Sequence, residues 1–119
     1  MGFPSKKNKL YFGKHKYNAI RSKCNLGHSH PSRLEGQYCN QLQMLERTKV
    51  IHSFEYAKSY ELRVNGKLIG KHKPDFTITT NEGTVEVHET KGMVTSDFLL
   101  RKNLFEAIYP EIQYIVVTG

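Results

Sequence analysis

Several things are scarce in this chain of 119 residues. No apolar run approaches the ~20 residues needed to span a bilayer. The stretch Met1-Gly2-Phe3-Pro4-Ser5-Lys6-Lys7 lacks the apolar core of a secretory signal. Gly2 stands where myristoylation would need it, but Phe3-Pro4 and the basic run match that signal poorly. These absences point away from a membrane and toward the cytoplasm. Cysteine is limited to Cys24 and Cys39, so a disulfide-stapled secreted scaffold is not expected. Acidic residues are missing between Lys6 and Lys23, a stretch that holds Lys6, Lys7, Lys9, Lys14, Lys16, Arg21 and Lys23. Internal repeats are absent, and nothing beyond that basic arm reads as a linker.

What is present fits one domain with a single modest core, since 38% of residues are hydrophobic and 24% charged. The net charge of +7 is concentrated in residues 1–20, an arm expected to be irregular apart from a short strand around Leu10 to Phe12. Lysines release phosphate counterions, and the interleaved rings of Tyr11, Phe12 and Tyr17 can stack on bases, so the arm suits a polyanion. The plainer reading of the arm alone is a solubilising tail. Residues 21–119 form the folded domain.

Along that domain, Pro31 and Ser32 followed by Glu35 predict a helix start, with Ser32 as N-cap and Glu35 closing a capping box. The helix should run to about Arg47, burying Leu34, Tyr38, Leu42 and Leu45, with Cys39 and Gln41 beside them. Ala57 to Val64 reads as a strand with Tyr60, Leu62 and Val64 on one face. Asn65-Gly66 predicts a tight hairpin, and Gly70 a bulge in the returning strand. That strand should continue through Lys71-His72-Lys73 toward Pro74-Asp75. Two further strands flank a loop at Thr79 to Gly83. Thr95 or Ser96 should cap a second helix with Phe98, Leu99, Leu104, Phe105 and Ile108 on its apolar side. A last strand, Ile112 to Val117, should be buried on both faces.

The chemistry gathers around the two strands at Lys73 to Ile78 and Thr84 to Gly92. Side chains alternate along a strand, so Glu89 and Lys91 share the face of Val85 and Val87. If the strands are antiparallel neighbours, Asp75 at the start of one lies beside Glu89 at the end of the other. Two acids and a lysine at one sheet edge can hold a divalent cation. Taken singly, Asp75 reads as a turn cap and Glu89 with Lys91 as a surface ion pair.

The set Glu35 on a first helix, Pro74-Asp75 and Glu89-Thr90-Lys91 resembles the PD-(D/E)XK nuclease superfamily. The Leu42 to Arg47 helix end, Pro74-Asp75-Phe76, Glu89 to Gly92 and Leu104-Phe105-Glu106 are similar to a small phage and prophage endonuclease family within it. The resemblance spans about residues 20 to 117. It implies an α/β fold, a restriction-endonuclease-like αβββαβ core with a central mixed sheet flanked by helices. It also implies Mg²⁺-dependent hydrolysis of phosphodiester bonds in DNA, with Mn²⁺ able to substitute. Asp75, Glu89 and the backbone carbonyl of Thr90 would be the metal ligands, Lys91 would act on the water and the developing charge, and Glu35 would act through a water or on a second ion. Lys14, Lys16, Arg21, Lys23, Arg101 and Lys102 would contact DNA. A core this small suggests recognition of DNA structure, and a homodimeric resolvase of Holliday junctions or branched DNA in a bacterial host is the preferred subclass. The competing class is a non-catalytic DNA-binding module that kept the fold.

Cys24, His28, His30 and Cys39 form a C-x3-H-x-H-x8-C pattern of four zinc-competent side chains. Its spacing matches no common zinc module. The sequence favours two reduced thiols, with Cys39 packed on the helix and the histidines free or facing DNA. His72 reads as a solvated strand histidine, and His88 with Glu86 lies on the face away from Glu89. His15 and His52 have no visible partner.

Overall fold

Ser32 begins the first helix as expected: its hydroxyl accepts the Glu35 backbone N–H at 3.2 Å. This cap is worth about 1 kcal/mol. The computed structural model describes residues 21–118. The arm of residues 1–20, including the strand expected near Leu10, His15 and the DNA contacts expected of Lys14 and Lys16, lies outside the described residues. A hairpin of two very short strands, β1 (Ser22–Lys23) and β2 (Ser29–His30), precedes helix α1 (Arg33–Arg47). Strands β3 (Ser53–Tyr56), β4 (Tyr60–Val64), β5 (Lys67–His72), β6 (Phe76–Thr79) and β7 (Val85–Lys91) follow. Helix α2 (Ser96–Ile108) and strand β8 (Gln113–Thr118) complete the described chain.

A four-stranded sheet with the order β3-β6-β7-β8 forms the centre. Its first two pairings are antiparallel, and β7 runs parallel to β8. A parallel pair needs a crossover, and α2 supplies it. The fold is therefore a mixed α/β arrangement with a mixed sheet and two helices. Five strands separate the helices where three or four were expected. The added strand is β3, ahead of the run from Ala57 to Val64 that the sequence presents as one strand; Ala57, with a φ of 61°, turns the chain between β3 and β4. β3 joins the central sheet, while β4 pairs only with β5.

Strand alternation sends the sheet's two faces to different helices. Phe76, Ile78 and Val117 pack with Tyr38, Cys39, Leu42 and Leu45 of α1. Val87 and Tyr114 pack with Phe98 and Phe105 of α2, joined by Tyr60 and Leu62 of the β4–β5 hairpin. Burying side chains such as Phe76 and Phe105, each fully inaccessible, contributes about 2–3 kcal/mol apiece. The hairpin is further tied by the Tyr60 and Thr77 hydroxyls, 2.9 Å apart.

The turn chemistry follows the sequence closely. Asn65 and Gly66 take φ of 52° and 82°, the positive values that a type I′ turn requires. The bulge is present too: Leu62 faces Gly70 while Arg63 faces Leu68, leaving Ile69 as the extra residue. Val64 and Leu99, expected on apolar faces, are instead 40% and 45% exposed. Val64 sits at the hairpin tip, paired with Lys67. Among the described residues no helix is long and apolar enough to cross a membrane.

Candidate functional site

Register sets the site. Phe76 pairs with His88 across β6 and β7, so Asp75, just before β6, stands beside Glu89. The Asp75 backbone N–H donates to Glu89 Oε1 at 3.3 Å. Its own carboxylate accepts from the Thr90 backbone N–H and the Thr90 hydroxyl, both at 2.8 Å. Pro74, which has no N–H to offer a ladder, is buried where β5 has ended and β6 has not begun.

The electrostatics of this pair are those of a site short of positive charge. Burial, then the charges of Glu89 and Glu35, push the Asp75 carboxyl up to about 7, against the two bonds from Thr90. Burial also raises Glu89, which is only 6% exposed, and the ammonium of Lys91 offsets part of that rise. Lys91 Nζ lies 3.3 Å from Glu89 Oε2 and 4.6 Å from the centre of the Phe98 ring. Two crowded carboxylates with one lysine suit a hard divalent cation, which prefers oxygen ligands and would relieve the repulsion.

Glu35 enters from the first turn of α1, 4% exposed. It is close enough to raise the carboxyl pKa of both Asp75 and Glu89. The structure thus brings Glu35, Asp75, Glu89 and Lys91 together. Glu35 also has a partner that the sequence reading missed: its Oε2 lies 2.6 Å from His30 Nδ1. His30 stands five residues upstream, across Pro31. That proximity was a usable signal.

Around Glu89 and Lys91 an open cleft of about 280 Å³ is lined by Lys71, His72, Lys73, Phe98 and Arg101. Lys71 and Lys73 were not singled out in the sequence; they reach the cleft because they stand shortly before Asp75, which is bonded to Glu89 and Thr90 of β7. Arg101 is at the cleft as expected, but Lys102 does not line it. Its ammonium lies 3.0 Å from Glu106 and 5.5 Å from the Tyr114 ring centre. Arg21 and Lys23 are exposed near the first hairpin. His72 is not the solvated histidine that strand position suggested. It is 7% exposed, with Nε2 2.6 Å from the Tyr114 hydroxyl. Burial, helped by Arg101 and Lys91, lowers its pKa to about 4, so it is neutral. His88 lies on the α1 face, between the Tyr38 hydroxyl at 2.5 Å and Glu86 at 3.0 Å. His52 is exposed.

Beside Glu35 lies a second cluster. One ligand atom from each of Cys24, His28, His30 and Cys39 lies within 4.8 Å of all the others, a group able to hold a metal ion. Burial opposes ionising Cys24, but the His30 ring and Cys39 outweigh it and bring the thiol down to about 7. Burial and Cys24 push Cys39 up to about 12. The two thiols are free, not bridged.

In comparison with known proteins, the family described as Protein of unknown function (DUF1064) matches residues 14–118. No curated protein and no solved structure gives a match.

Proposed function

The chain belongs to the DUF1064 family, and from the geometry of its site we propose that it is a Mg²⁺-dependent DNA endonuclease of the PD-(D/E)XK kind. The observation that carries this reading is the corner where the Asp75 backbone N–H donates to Glu89 Oε1 and the Lys91 ammonium lies beside Glu89 Oε2, each at 3.3 Å, with the charge of Glu89 raising the Asp75 carboxyl. Two buried carboxylates that resist ionisation give nothing to a protein that only binds DNA, because once ionised they repel phosphate. They become useful when a cation sits between them and the phosphodiester.

Mg²⁺ held by Asp75, Glu89 and the carbonyl of Thr90 would neutralise phosphate charge and make the attacking water more acidic. The remaining work falls to the chain's own groups. Thr90 fixes the Asp75 carboxylate through two hydrogen bonds, so the ligand is oriented before substrate arrives. Lys91, restrained between Glu89 and the Phe98 face, is within reach of a phosphate oxygen in the cleft and would stabilise the charge that develops there. Lys71, Lys73 and Arg101 line the same cleft and would draw in and hold the DNA backbone. Glu35 adds negative charge on the α1 side, suited to a water or a second ion. With so little surface for reading bases, selection by DNA shape is the natural subclass, and a junction resolvase of phage origin acting as a homodimer would supply the two cuts a four-way junction needs.

The test is cleavage of supercoiled plasmid and of a synthetic four-way junction, with Mg²⁺, with EDTA and with the Asp75→Ala variant. Metal-dependent cutting that Asp75→Ala reduces by at least ~10²-fold is expected, as for loss of one element of electrostatic catalysis. Preference for the junction over plasmid would support the resolvase subclass. Binding without cutting, in both Mg²⁺ and Mn²⁺, would sink the nuclease and leave a DNA-binding module.

A further inference from the structure

The first hairpin poses a structural problem. Its strands are two residues each, far too short to hold their own conformation, since even full-length isolated hairpins are marginal in water. Yet Cys24 and His30 within it are 6% and 0% exposed. Polar anchors exist: Asn25 donates its backbone N–H to Asn40 of α1 at 2.7 Å, and the Ser22 hydroxyl donates to the Ser32 carbonyl at 3.1 Å. Neither accounts for two histidines and two thiols converging in one place.

We propose that Cys24, His28, His30 and Cys39 hold a structural Zn²⁺ that pins this hairpin to α1 and, through His30, fixes Glu35. Three observations carry the assignment. The first is distance. Tetrahedral Zn²⁺ bound by sulfur and imidazole nitrogen puts its donors ~3.3–3.8 Å apart; Cys39 Sγ and His28 Nδ1 are already 3.7 Å apart, and all four donors lie within 4.8 Å. Small side-chain rotations close the set.

The second is an orphaned atom. His30 Nε2 is buried and has no hydrogen-bond partner of regular geometry, the Cys24 thiol being the group that acts on this ring from the cluster side. Leaving a buried polar nitrogen unsatisfied is costly, and the cluster offers a metal as its partner. The third is the other side of the same ring. His30 Nδ1 is 2.6 Å from the Glu35 carboxylate, which fixes the tautomer with its proton on Nδ1 and leaves the Nε2 lone pair facing the cluster. Carboxylate, histidine and zinc in series is the usual way a ligating imidazole is oriented and made more basic. His28 is restrained as well, stacked on Tyr56 at 4.9 Å with planes 15° apart.

Two cysteines and two histidines fill a tetrahedron, leaving no open position, which makes the ion structural and not hydrolytic. The loop is shaped for it: Gly27 donates its N–H to the Cys24 carbonyl at 2.9 Å and takes a φ of 88°, and Cys24 donates to the His28 carbonyl at 3.1 Å. This inference stands apart from the nuclease reading, and the metal can be measured with no DNA present.

The experiment is elemental analysis of the full chain purified without chelator, followed by Co²⁺ substitution and a thiol titration. About one tightly held Zn²⁺ per chain is expected, with Co²⁺ giving the visible absorption of a tetrahedral thiolate site. Cys24 and Cys39 should react with a thiol reagent only after a strong chelator is added. Cys24→Ser and Cys39→Ser should lose the metal. Because those variants could also fail to fold, Glu35→Gln provides the second arm: it should fold and keep zinc with roughly 10–100-fold weaker affinity. A chain that carries no zinc from zinc-replete cells, binds none on addition, and has thiols equally reactive with and without Zn²⁺ would overturn the proposal. So would Glu35→Gln with unchanged zinc affinity, for the link to Glu35.

Discussion

Asp75 carries a carboxyl group pushed up to about 7 by burial and by the charges of Glu89 and Glu35, and the stability of the metal-free fold should follow its titration. Below about pH 3 the folded and unfolded chains both hold the proton. As pH rises, the unfolded chain releases it near the ordinary value of 3.8 while the folded chain retains it to about 7. The unfolded state then binds fewer protons, so stability falls with rising pH across that window and stays lower above it. The groups facing Asp75 come from every side: Glu35 on α1, Glu89 and Thr90 on β7, and Tyr56 and Tyr114, whose phenols are raised by burial and by the nearby carboxylates. Asp75→Asn removes the penalty. In EDTA its melting temperature should match wild type near pH 3 and exceed it at pH 8, by an amount corresponding to about 4 kcal/mol. Mg²⁺ should narrow the gap by stabilising wild type alone. Identical melting curves at pH 8 would mean the pair is not strained by its charge.

At the scale of elements, α1 and the first hairpin depend on two small residues. Ser32→Ala removes the N-cap and should cost about 1 kcal/mol in chemical denaturation. Gly36→Ala acts differently: alanine favours the helix by about 1 kcal/mol, but its Cβ would run into the Ser22 hydroxyl, which must rotate away and give up its bond to the Ser32 carbonyl. The damage from Gly36→Ala should fall on the hairpin, so zinc binding should weaken with it, whereas Ser32→Ala acts mainly on the helix. Equal effects of the two on zinc affinity would contradict that division. These elements also show which parts of the fold were legible in advance. Ser32 as the cap of α1, Asn65-Gly66, the bulge before Gly70 and Thr95 as the cap of α2 are local signals, and each is where the residues say, although the Glu35 carboxylate pairs with His30 instead of closing the capping box. Ala57 was opaque, since alanine gives no warning of a positive φ. His72 was misread because the groups that bury it, Tyr114 and Phe105, come from β8 and α2, far along the chain. The pairing of Asp75 with Glu89 was legible from strand alternation and the hairpin alone. The convergence of Cys24, His28, His30 and Cys39 was visible only as a spacing, because it needs the hairpin to fold back on α1.

Over the whole molecule, charge distinguishes residues that composition treats alike. The chain carries +7, and any basic surface attracts DNA at low salt, so affinity alone says little about the site. The salt dependence says more, because each phosphate neutralised releases counterions and steepens the fall of affinity with ionic strength. Lys73 and Arg101 are exposed and line the cleft beside Glu89. Lys102 stands next to Arg101 in sequence, but its ammonium is held by Glu106 at 3.0 Å and faces the Tyr114 ring. Lys73→Ala and Arg101→Ala should each weaken DNA binding and lower the slope of log affinity against log salt by about 1. Lys102→Ala should leave the slope unchanged, since that charge is already paired. Binding measured by fluorescence anisotropy across a salt series, in Ca²⁺ to keep the DNA intact, separates these cases. If all three variants shift the slope alike, DNA is held by the general field of the protein and not by the cleft, and the cleft would lose its standing as the route to Asp75 and Glu89. If only Lys73 and Arg101 matter, the phosphate backbone passes within reach of Lys91, as phosphodiester hydrolysis at this corner requires.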